Sequence, residues 1–182
     1  YAAKADPYFL WNHLNALDQE GEYFFDIEGV SGPAYTLYLF PPGNISPDQT
    51  TVEIKSREYG FDMNWTSHIH LKQLNFIGGG IECPVSSSFI VMDDLHLRYC
   101  GSGLDALQTG RAAVWLKGDG HRLLNSQVDY SYGGGAITLG TNTEIANNVI
   151  RDCMLYGVAS FDSSDLHAHH NTIFGNQGVN IH

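Results

Sequence analysis

The chain has 182 residues and a formal net charge of -11, from 9 Lys and Arg against 20 Asp and Glu. This acidic balance argues against a general nucleic-acid-binding protein, which needs a basic surface, and against docking on anionic membranes. No apolar stretch is long enough to cross a bilayer, so we expect no membrane insertion. The length is sufficient for a domain with its own hydrophobic core.

Residues 1–50 are predicted to form an N-terminal cap that contains a β-hairpin. The stretches "GEYFFDIEG" and "AYTLYLFPPGN" have the composition of two strands around a connection rich in Gly and Pro. Upstream, "YFLWNHLNALDQ" from Tyr8 fits a short helix. The aromatic residues expected to pack the hairpin onto the next segment are Tyr23, Phe25, Tyr35 and Tyr38. We interpret the segment as a cap because repeat folds need their open ends covered.

Residues 51–182 contain a repeat. Apolar residues in similar surroundings recur at spacings of 21, 31, 22 and 23 residues, at Phe76, Leu97, Val128, Ile150 and Ile173. The longest spacing indicates a loop insertion, which we assign to residues 101–112. A period of about 22 residues with alternating apolar positions favours a β-solenoid with three short strands in each turn. A leucine-rich repeat is disfavoured because its fixed Leu and Asn spacing is missing.

The alternation predicts which side chains point into the solenoid. In the first strand of each turn they are Leu71, Met92, Leu123, Ile145 and Ala168. A polar bend follows at Gln73, Asp94, Asn125, Asn147 and His170, and the next column is Leu74, Leu95, Ser126, Asn148 and Asn171. In the third strand they are Ile81, Val114, Ile137, Val158 and Val179. A small residue precedes each of these, namely Gly80, Ala113, Ala136, Gly157 and Gly178, which lets the chain turn tightly.

The stretches "HIHLKQLNF", "EIANNVIRD" and "HAHHNTIFGNQGVNI", with the pair Asn147 and Asn148, carry a family resemblance. They resemble the right-handed parallel β-helix proteins of the pectate-lyase-like superfamily, over about two thirds of the chain. The resemblance implies an all-β fold, a right-handed parallel β-helix of about five coils. The N-terminal segment is similar to the one that precedes the β-helix in large secreted bacterial carbohydrate-active proteins, which implies a secreted or cell-surface protein.

The resemblance also implies where a substrate would lie. In this superfamily the groove usually runs along the outward row of the third strand, beside the loop that precedes it. Here that row is predicted as Glu82, Trp115, Thr138, Ala159 and Asn180, and two residues further as Pro84, Lys117, Gly140, Phe161 and His182. The candidate catalytic residues are Lys117, Glu82, Asp105 and Arg111, and the candidate substrate-binding residues are Trp115, Phe161, Asn180 and His182. The alternative is that the inserted loop simply buries Trp115.

Other chemistry-bearing clusters favour structural interpretations. His167 and His169 share a strand face, but we expect solvated histidines here rather than a metal site. We interpret two outward rows as ion-pair ladders. One row is Arg122, Glu144 and His167, and the other is Arg98, Asp129 and Arg151. The cysteines Cys83, Cys100 and Cys153 form no CxxC pair and allow at most one disulfide.

Two classes of function follow. The first is a protein that binds or acts on extracellular polysaccharide, as a lyase or a glycoside hydrolase. The net charge of -11 repels polyuronates, so neutral or Ca²⁺-bridged glycans are favoured, and we expect no cofactor other than Ca²⁺. The second class is a non-catalytic structural or adhesive solenoid that assembles end to end. Since Val179 and Ile181 come just before the last residue, we expect further coils or a partner to cover that end.

Overall fold

The structure, a computed structural model, describes residues 13–26, 28–55, 57, 59–101 and 112–181. The chain divides into two units, Tyr1–Ile54 and Lys55–His182. Among the described residues, no helix is both long and apolar enough to span a membrane.

The N-terminal unit contains the predicted hairpin, in which β1 (Tyr23–Asp26) pairs antiparallel with β2 (Thr36–Leu39). Its described residues also form three short 3-10 turns, at Leu14–Ala16, Pro42–Asn44 and Pro47–Gln49. The turn at Leu14–Ala16 lies within the stretch from Tyr8 that was predicted to be a short helix. The buried carboxylate of Asp26 accepts hydrogen bonds from backbone N–H groups of the connection at 2.7–3.0 Å. This carboxylate therefore fixes the connection between the strands.

The alternation of the hairpin is shifted by one residue from the prediction. Phe24 is buried and stacks on Tyr38, with ring centroids 6.0 Å apart. Tyr23 and Phe25, which were expected to pack, are exposed instead. The run of three consecutive aromatic residues made both registers compatible with the sequence.

The second unit consists of three parallel sheets, and each turn of the chain adds one strand to each sheet. The first sheet holds β4 (His70–Lys72), β7 (Val91–Asp93), β10 (Arg122–Leu124), β13 (Glu144–Ala146) and β16 (His167–His169). The second holds β5 (Asn75–Ile77), β8 (His96–Arg98), β11 (Gln127–Asp129), β14 (Val149–Arg151) and β17 (Thr172–Phe174). The third holds β3 (Tyr59–Asp62), β6 (Gly80–Cys83), β9 (Val114–Leu116), β12 (Ala136–Thr138) and β15 (Val158–Ser160). The predicted parallel β-solenoid of about five turns is confirmed.

Each turn changes direction at residues with left-handed backbone, and these residues form three columns. The column before the first sheet is His68, Phe89, Gly120, Asn142 and Asp165, with φ between 49° and 68°. The column between the first and second sheets is Gln73, Asp94, Asn125, Asn147 and His170, which confirms the predicted polar bend. The column between the second and third sheets is Gly78, Tyr99, Tyr130, Asp152 and Gly175. A single left-handed residue bends the extended chain sharply toward the next sheet. The bends recur every few residues, so the strands are only three or four residues long.

The core forms where the inward columns of the sheets meet. In the first two sheets the observed pairing confirms the predicted columns, such as Leu97 with Val128 and Val128 with Ile150. These three side chains are fully buried, as are Met92 and Leu123 of the first sheet. Burying an aliphatic side chain contributes roughly 1.5–3 kcal/mol, so the stacked columns are the main source of stability.

Polar side chains also stack inside the solenoid, just after the bend between the first and second sheets. Ser126 Oγ accepts from the Leu95 backbone N–H at 3.0 Å, and Asn148 Oδ1 accepts from the Ser126 N–H at 2.8 Å. Asn171 Oδ1 accepts from the Asn148 N–H at 2.9 Å. Asn148 Nδ2 also donates to the Leu123 carbonyl at 2.9 Å. Each turn thus satisfies buried backbone groups of the preceding turn, where the sheets leave them without a strand partner.

The register of the third sheet differs from the prediction in two turns. Ala136, rather than Ile137, is the partner of Val114 and of Val158. In the last turn Val158 is bridged to Ile181, and the predicted inward residue Val179 is exposed. Ile137 and Val158 therefore lie on opposite sides of the sheet.

The cause of this shift is the glycine run that precedes β12. A Cβ atom on Gly135 would lie 2.4 Å from the Ile150 Cγ2 atom and 2.6 Å from the Gly157 carbonyl oxygen. The position that admits no side chain is therefore Gly135, whereas the prediction had placed Ala136 there. Because alternation has a period of two, this one-residue shift moves Ile137 from the core to the outer face.

All three cysteines are buried and free. Burial raises the pKa of Cys83 to about 12 and the pKa of Cys100 and of Cys153 to about 11. The thiols consequently behave as small apolar side chains of the core.

Candidate functional site

The outer face of the third sheet carries a second apolar cluster, separate from the core. Its paired row runs through Asp62, Glu82, Trp115, Ile137 and Ala159. Ile137 and Ala159 are fully buried although they lie on the outer face, and Ala112 is buried with them. Trp115, Tyr156 and Phe161 are partly buried and pack against these three residues. We call the six residues from Ala112 to Phe161 in this group the outer apolar cluster.

Alternation along the strands explains why aromatic residues collect there. The neighbours of Ile137 in β12, Ala136 and Thr138, pair with the inward Val114 and Leu116, so alternation turns the Ile137 side chain to the outer face. Tyr156 and Phe161 lie before and after β15, and their rings meet edge to face at 5.9 Å. The cluster therefore forms an apolar floor with aromatic walls on the side of the sheet that normally faces solvent.

An ion pair lies on the rim of this cluster. Lys117 Nζ is 2.5 Å from Glu82 Oε1, and both side chains are mostly shielded from solvent. The same Nζ lies over the Trp115 ring, 3.9 Å from its centroid, in a cation–π contact. Lys117 and Trp115 share this face because they are two residues apart on one extended segment. The ammonium group thus lies over one face of the indole ring.

The Trp115 side chain is not explained by stability alone. Its Nε1 atom is buried and finds no hydrogen-bond acceptor among the residues that the structure describes. Leaving a buried donor unpaired costs roughly 1–3 kcal/mol, so a purely apolar side chain would serve the packing at least as well.

The structure brings together four of the residues predicted from the sequence: Glu82, Lys117, Trp115 and Phe161. Asn180 does not join them, because its backbone lies opposite Gly157 and its side chain accepts from Asn176 Nδ2 at 3.0 Å. Asn180 was predicted in the outward row, and the shifted register of the last turn makes that prediction wrong. Three further candidates, Asp105, Arg111 and His182, lie outside the described residues.

Sequence reasoning missed three residues of this face. Ile137 was missed because Thr138 was predicted to point outward in its place. Thr138 is instead fully buried and pairs with the inward Leu116. Tyr156 was not selected because it lies in a turn rather than a strand. Asp62 is the direct neighbour of Glu82, and a register irregularity between Tyr59 and Phe61 hides its place in the repeat.

Each of the two predicted charged rows contains one ion pair, Arg122 with Glu144 and Arg151 with Asp129, and His169 rather than His167 is the histidine that contacts Glu144. Arg122 Nε lies 2.6 Å from Glu144 Oε2, and His169 Nε2 lies 3.3 Å from Glu144 Oε1. Hydrogen bonding from Arg122 lowers the pKa of Glu144 below its ordinary value. In the described part of the chain, no three side chains of the types that bind metals converge on one point.

A buried histidine lies near a serine, but the pair is not arranged as a nucleophile and base. The Ile90 backbone N–H donates to His121 Nδ1 at 3.2 Å, so the proton of the neutral ring is on Nε2. That nitrogen lies 3.3 Å from Ser87 Oγ, and the Ser87 hydroxyl donates to the Pro84 carbonyl at 2.7 Å. The ring is therefore a donor toward Ser87 and does not accept its proton.

We expect His121 to make the fold less stable in mild acid. The side chain is fully buried, and burial lowers its pKa from 6.5 to about 4 against the smaller opposing effect of Asp119. Between those values the unfolded chain binds a proton that the folded chain does not, so stability falls as the pH falls. From pH 7 to pH 5 this contribution amounts to about 2 kcal/mol.

Urea unfolding at pH 7 and pH 5 measures this effect. The His121→Gln variant keeps a polar side chain without the titration, and its loss of stability should be smaller than that of the wild type by about 2 kcal/mol. The other histidines are common to both proteins and cancel in the comparison. Equal losses in the two proteins would show that His121 does not contribute.

One comparison with known proteins gives a match. The model of the family described as "Right handed beta helix region" matches residues 50–182. No curated protein and no solved structure shows a significant match to the chain.

Proposed function

The chain belongs to the right-handed β-helix family, and from this fold we propose that it binds a neutral polysaccharide on the outer face of its third sheet. The observation that carries the proposal is the outer apolar cluster, an apolar floor with aromatic walls on a surface that ordinarily faces solvent. Trp115, Tyr156 and Phe161 of this cluster remain partly exposed, and exposed apolar area on a protein surface often marks a binding site. Aromatic rings offer the flat faces on which sugar rings stack.

The charges at the rim favour a neutral ligand over a polyuronate. Lys117 is the basic side chain of this face that could neutralise a uronate, but Glu82 already neutralises it at 2.5 Å. The whole chain is acidic, with a net charge of -11, and this charge opposes the approach of a polyanion. A polyuronate would require Ca²⁺ to bridge it to the acidic surface. The same ion pair weakens the case for a lyase, since a base must be unprotonated and free to reach its substrate.

The test uses a variant that keeps the packing and removes the ring. Trp115→Leu retains an apolar side chain in the outer apolar cluster and also removes the unpaired indole N–H, so we expect it to fold. Its affinity for a bound neutral polysaccharide should fall at least tenfold in affinity electrophoresis or calorimetry. The matched control is Phe174→Leu, which replaces an exposed aromatic residue of the second sheet.

The ligand panel contains xylan, mannan, cellulose oligomers, polygalacturonate and alginate, with and without Ca²⁺. Unchanged binding by Trp115→Leu would refute the assignment of the site. Tight binding of a polyuronate without Ca²⁺ would refute the preference for neutral chains.

A second candidate function is glycoside hydrolysis on the same face. Asp62 and Glu82 are direct partners on adjacent strands, one strand spacing or about 4.8 Å apart. Retaining glycosidases use two carboxyl groups about 5–5.5 Å apart, and the pairing of Asp62 with Glu82 brings two carboxylates onto neighbouring positions of one face. New reducing ends in the same incubations, lost in both Asp62→Asn and Glu82→Gln, would support an enzyme. Binding without any product would support the alternative of a non-catalytic solenoid.

A further inference from the structure

A polar groove lies on a different face, along the bend between the first and second sheets. It has a volume of about 450 Å³ and crosses several turns, so it runs along the axis of the solenoid. The residues that carry its chemistry are Gln73, Asn75, His96, Asn125, Gln127 and Asn147. We call it the bend groove.

His96 is held in the bend groove by a buried carboxylate. Its Nε2 atom lies 2.9 Å from Asp129 Oδ2, and the Asp129 side chain is only 2% exposed. Burial alone raises the pKa of Asp129, but hydrogen bonds from His96, Arg151 and Gln127 hold it below its ordinary value. The carboxylate is therefore ionised and can only accept, so Nε2 of His96 carries a proton.

This arrangement leaves the other ring nitrogen available. In the neutral ring a proton on Nε2 makes Nδ1 an acceptor, and Nδ1 has no partner in the part of the chain that the structure describes. The carboxylate fixes the ring orientation, as carboxylates do for histidines that bind metals or substrates. The side chain of His96 is 31% exposed, so a ligand in the groove can reach it.

Side-chain amides line the bend groove on both sides of His96 along the axis. Asn75 is the direct strand partner of His96, and Gln73 and Asn147 lie in the adjoining bend column. No described residue hydrogen-bonds to these three amide groups. Successive turns are about 4.8 Å apart, so the groove repeats its donors and acceptors at this interval along the axis.

We propose that the bend groove binds an extended neutral oligosaccharide, with His96 Nδ1 accepting a hydrogen bond from one sugar hydroxyl. The amides of Asn75, one turn before His96, and of Asn147, two turns after it, would bond to other hydroxyls along the same chain. Hydroxyl groups both donate and accept, as do side-chain amides. No Lys or Arg is among the residues that line the bend groove, so a phosphate or a uronate would find no cationic partner there. An extended peptide is disfavoured because both sheets continue along the groove and present no open strand edge there.

This proposal does not depend on the outer apolar cluster. The bend groove lies between the first and second sheets, whereas Trp115 belongs to the third. All measurements are therefore made in the Trp115→Leu background, where a ligand on the outer apolar cluster is weakened. A failure of one site is then distinguishable from a failure of the other.

The experiment is an NMR titration with xylohexaose, cellohexaose and mannohexaose. We expect at least one of these to shift the imidazole resonances of His96 and the side-chain amide resonances of Asn75 and Asn147. The double variant His96→Ala/Asn75→Ala should bind that probe at least tenfold more weakly. His167→Ala, which removes a histidine outside the bend groove, should bind it unchanged.

The variants are chosen to remain folded. Asn75 makes no side-chain hydrogen bond with a described residue, and without His96 the Asp129 carboxylate keeps Arg151 at 2.9 Å and Gln127 at 2.7 Å. A circular dichroism spectrum like that of the parent confirms folding. The proposal is overturned if none of the three probes shifts these resonances, or if the double variant and His167→Ala bind equally well.

Discussion

Replacing Val158 with aspartate unfolds the β-helix. Val158 is 1% exposed and stands between Ala136 and Ile181 in the inward column of the third sheet. A carboxylate there would have neither water nor a cation, and an unpaired buried charge costs more than about 4 kcal/mol. Proteins of this size are stable by roughly 5–15 kcal/mol, so the variant loses most or all of its stability.

The matched control is Val149→Asp, the same substitution on the outer face of the second sheet. Val149 is 36% exposed, and its variant should unfold with a urea midpoint near that of the wild type. Far-ultraviolet circular dichroism and size-exclusion chromatography compare the two proteins. If both variants unfold at the same urea concentration, Val158 does not face the core and the observed register is wrong.

Replacing Asn148 with leucine costs about 3–5 kcal/mol, although the two side chains have similar shapes. The change leaves the Ser126 N–H and the Leu123 carbonyl without their partners inside the solenoid. It also removes a partner of the Asn171 side chain. Each buried backbone group left unpaired costs roughly 1–3 kcal/mol, and an additional leucine offers little compensation in a filled core.

Urea unfolding measures the loss, and hydrogen exchange of the Ser126 amide locates it. Asn75→Leu is the control, since that side chain is exposed in the outer row of the second sheet and makes no hydrogen bond with a described residue. We expect the control to change stability by less than about 1 kcal/mol. A small loss for Asn148→Leu, or an unchanged exchange rate at Ser126, would show that the polar column contributes little.

The first two sheets were predictable because each turn contains a single polar bend at a constant place. Asn125 and Asn147 mark that place, and the alternation on both sides then assigns inward residues such as Leu123 and Val128 without ambiguity. The left-handed backbone at these residues is a local preference of Asn, Asp and Gly, which is why it is visible in the sequence.

The third sheet was only partly predictable, for a physical reason that concerns β12. Three consecutive glycines allow the tight position to fall on any of them, and Gly135 is selected by the Ile150 side chain and the Gly157 carbonyl of the next turn, which the spacing does not reveal. The prediction also assumed that a large apolar residue points inward. Ile137 instead finds an apolar environment on the outer face, made by Trp115 and other residues distant in the sequence.

The candidate site shows the same division. Glu82 and Trp115 were found because they lie on strands that keep the period of the repeat, and Lys117 because it directly follows β9. Their contact with one another was not predicted, because a salt bridge and a cation–π contact depend on side-chain positions that spacing does not define. Asp62 was missed because an irregular pairing in β3 interrupts the repeat before it reaches that residue.

The three buried thiols give the β-helix a built-in measure of its own opening. A thiol reagent attacks only an exposed thiolate, and the folded chain suppresses both exposure and ionisation at Cys83, Cys100 and Cys153. Labelling of the native protein therefore reports how often each part of the solenoid separates from its neighbours. Since Cys83 lies in β6 and Cys153 lies just after β14, their labelling rates compare an early turn with a late one. Equal rates mean that the turns open as one cooperative unit, and unequal rates mean that they peel apart in sequence.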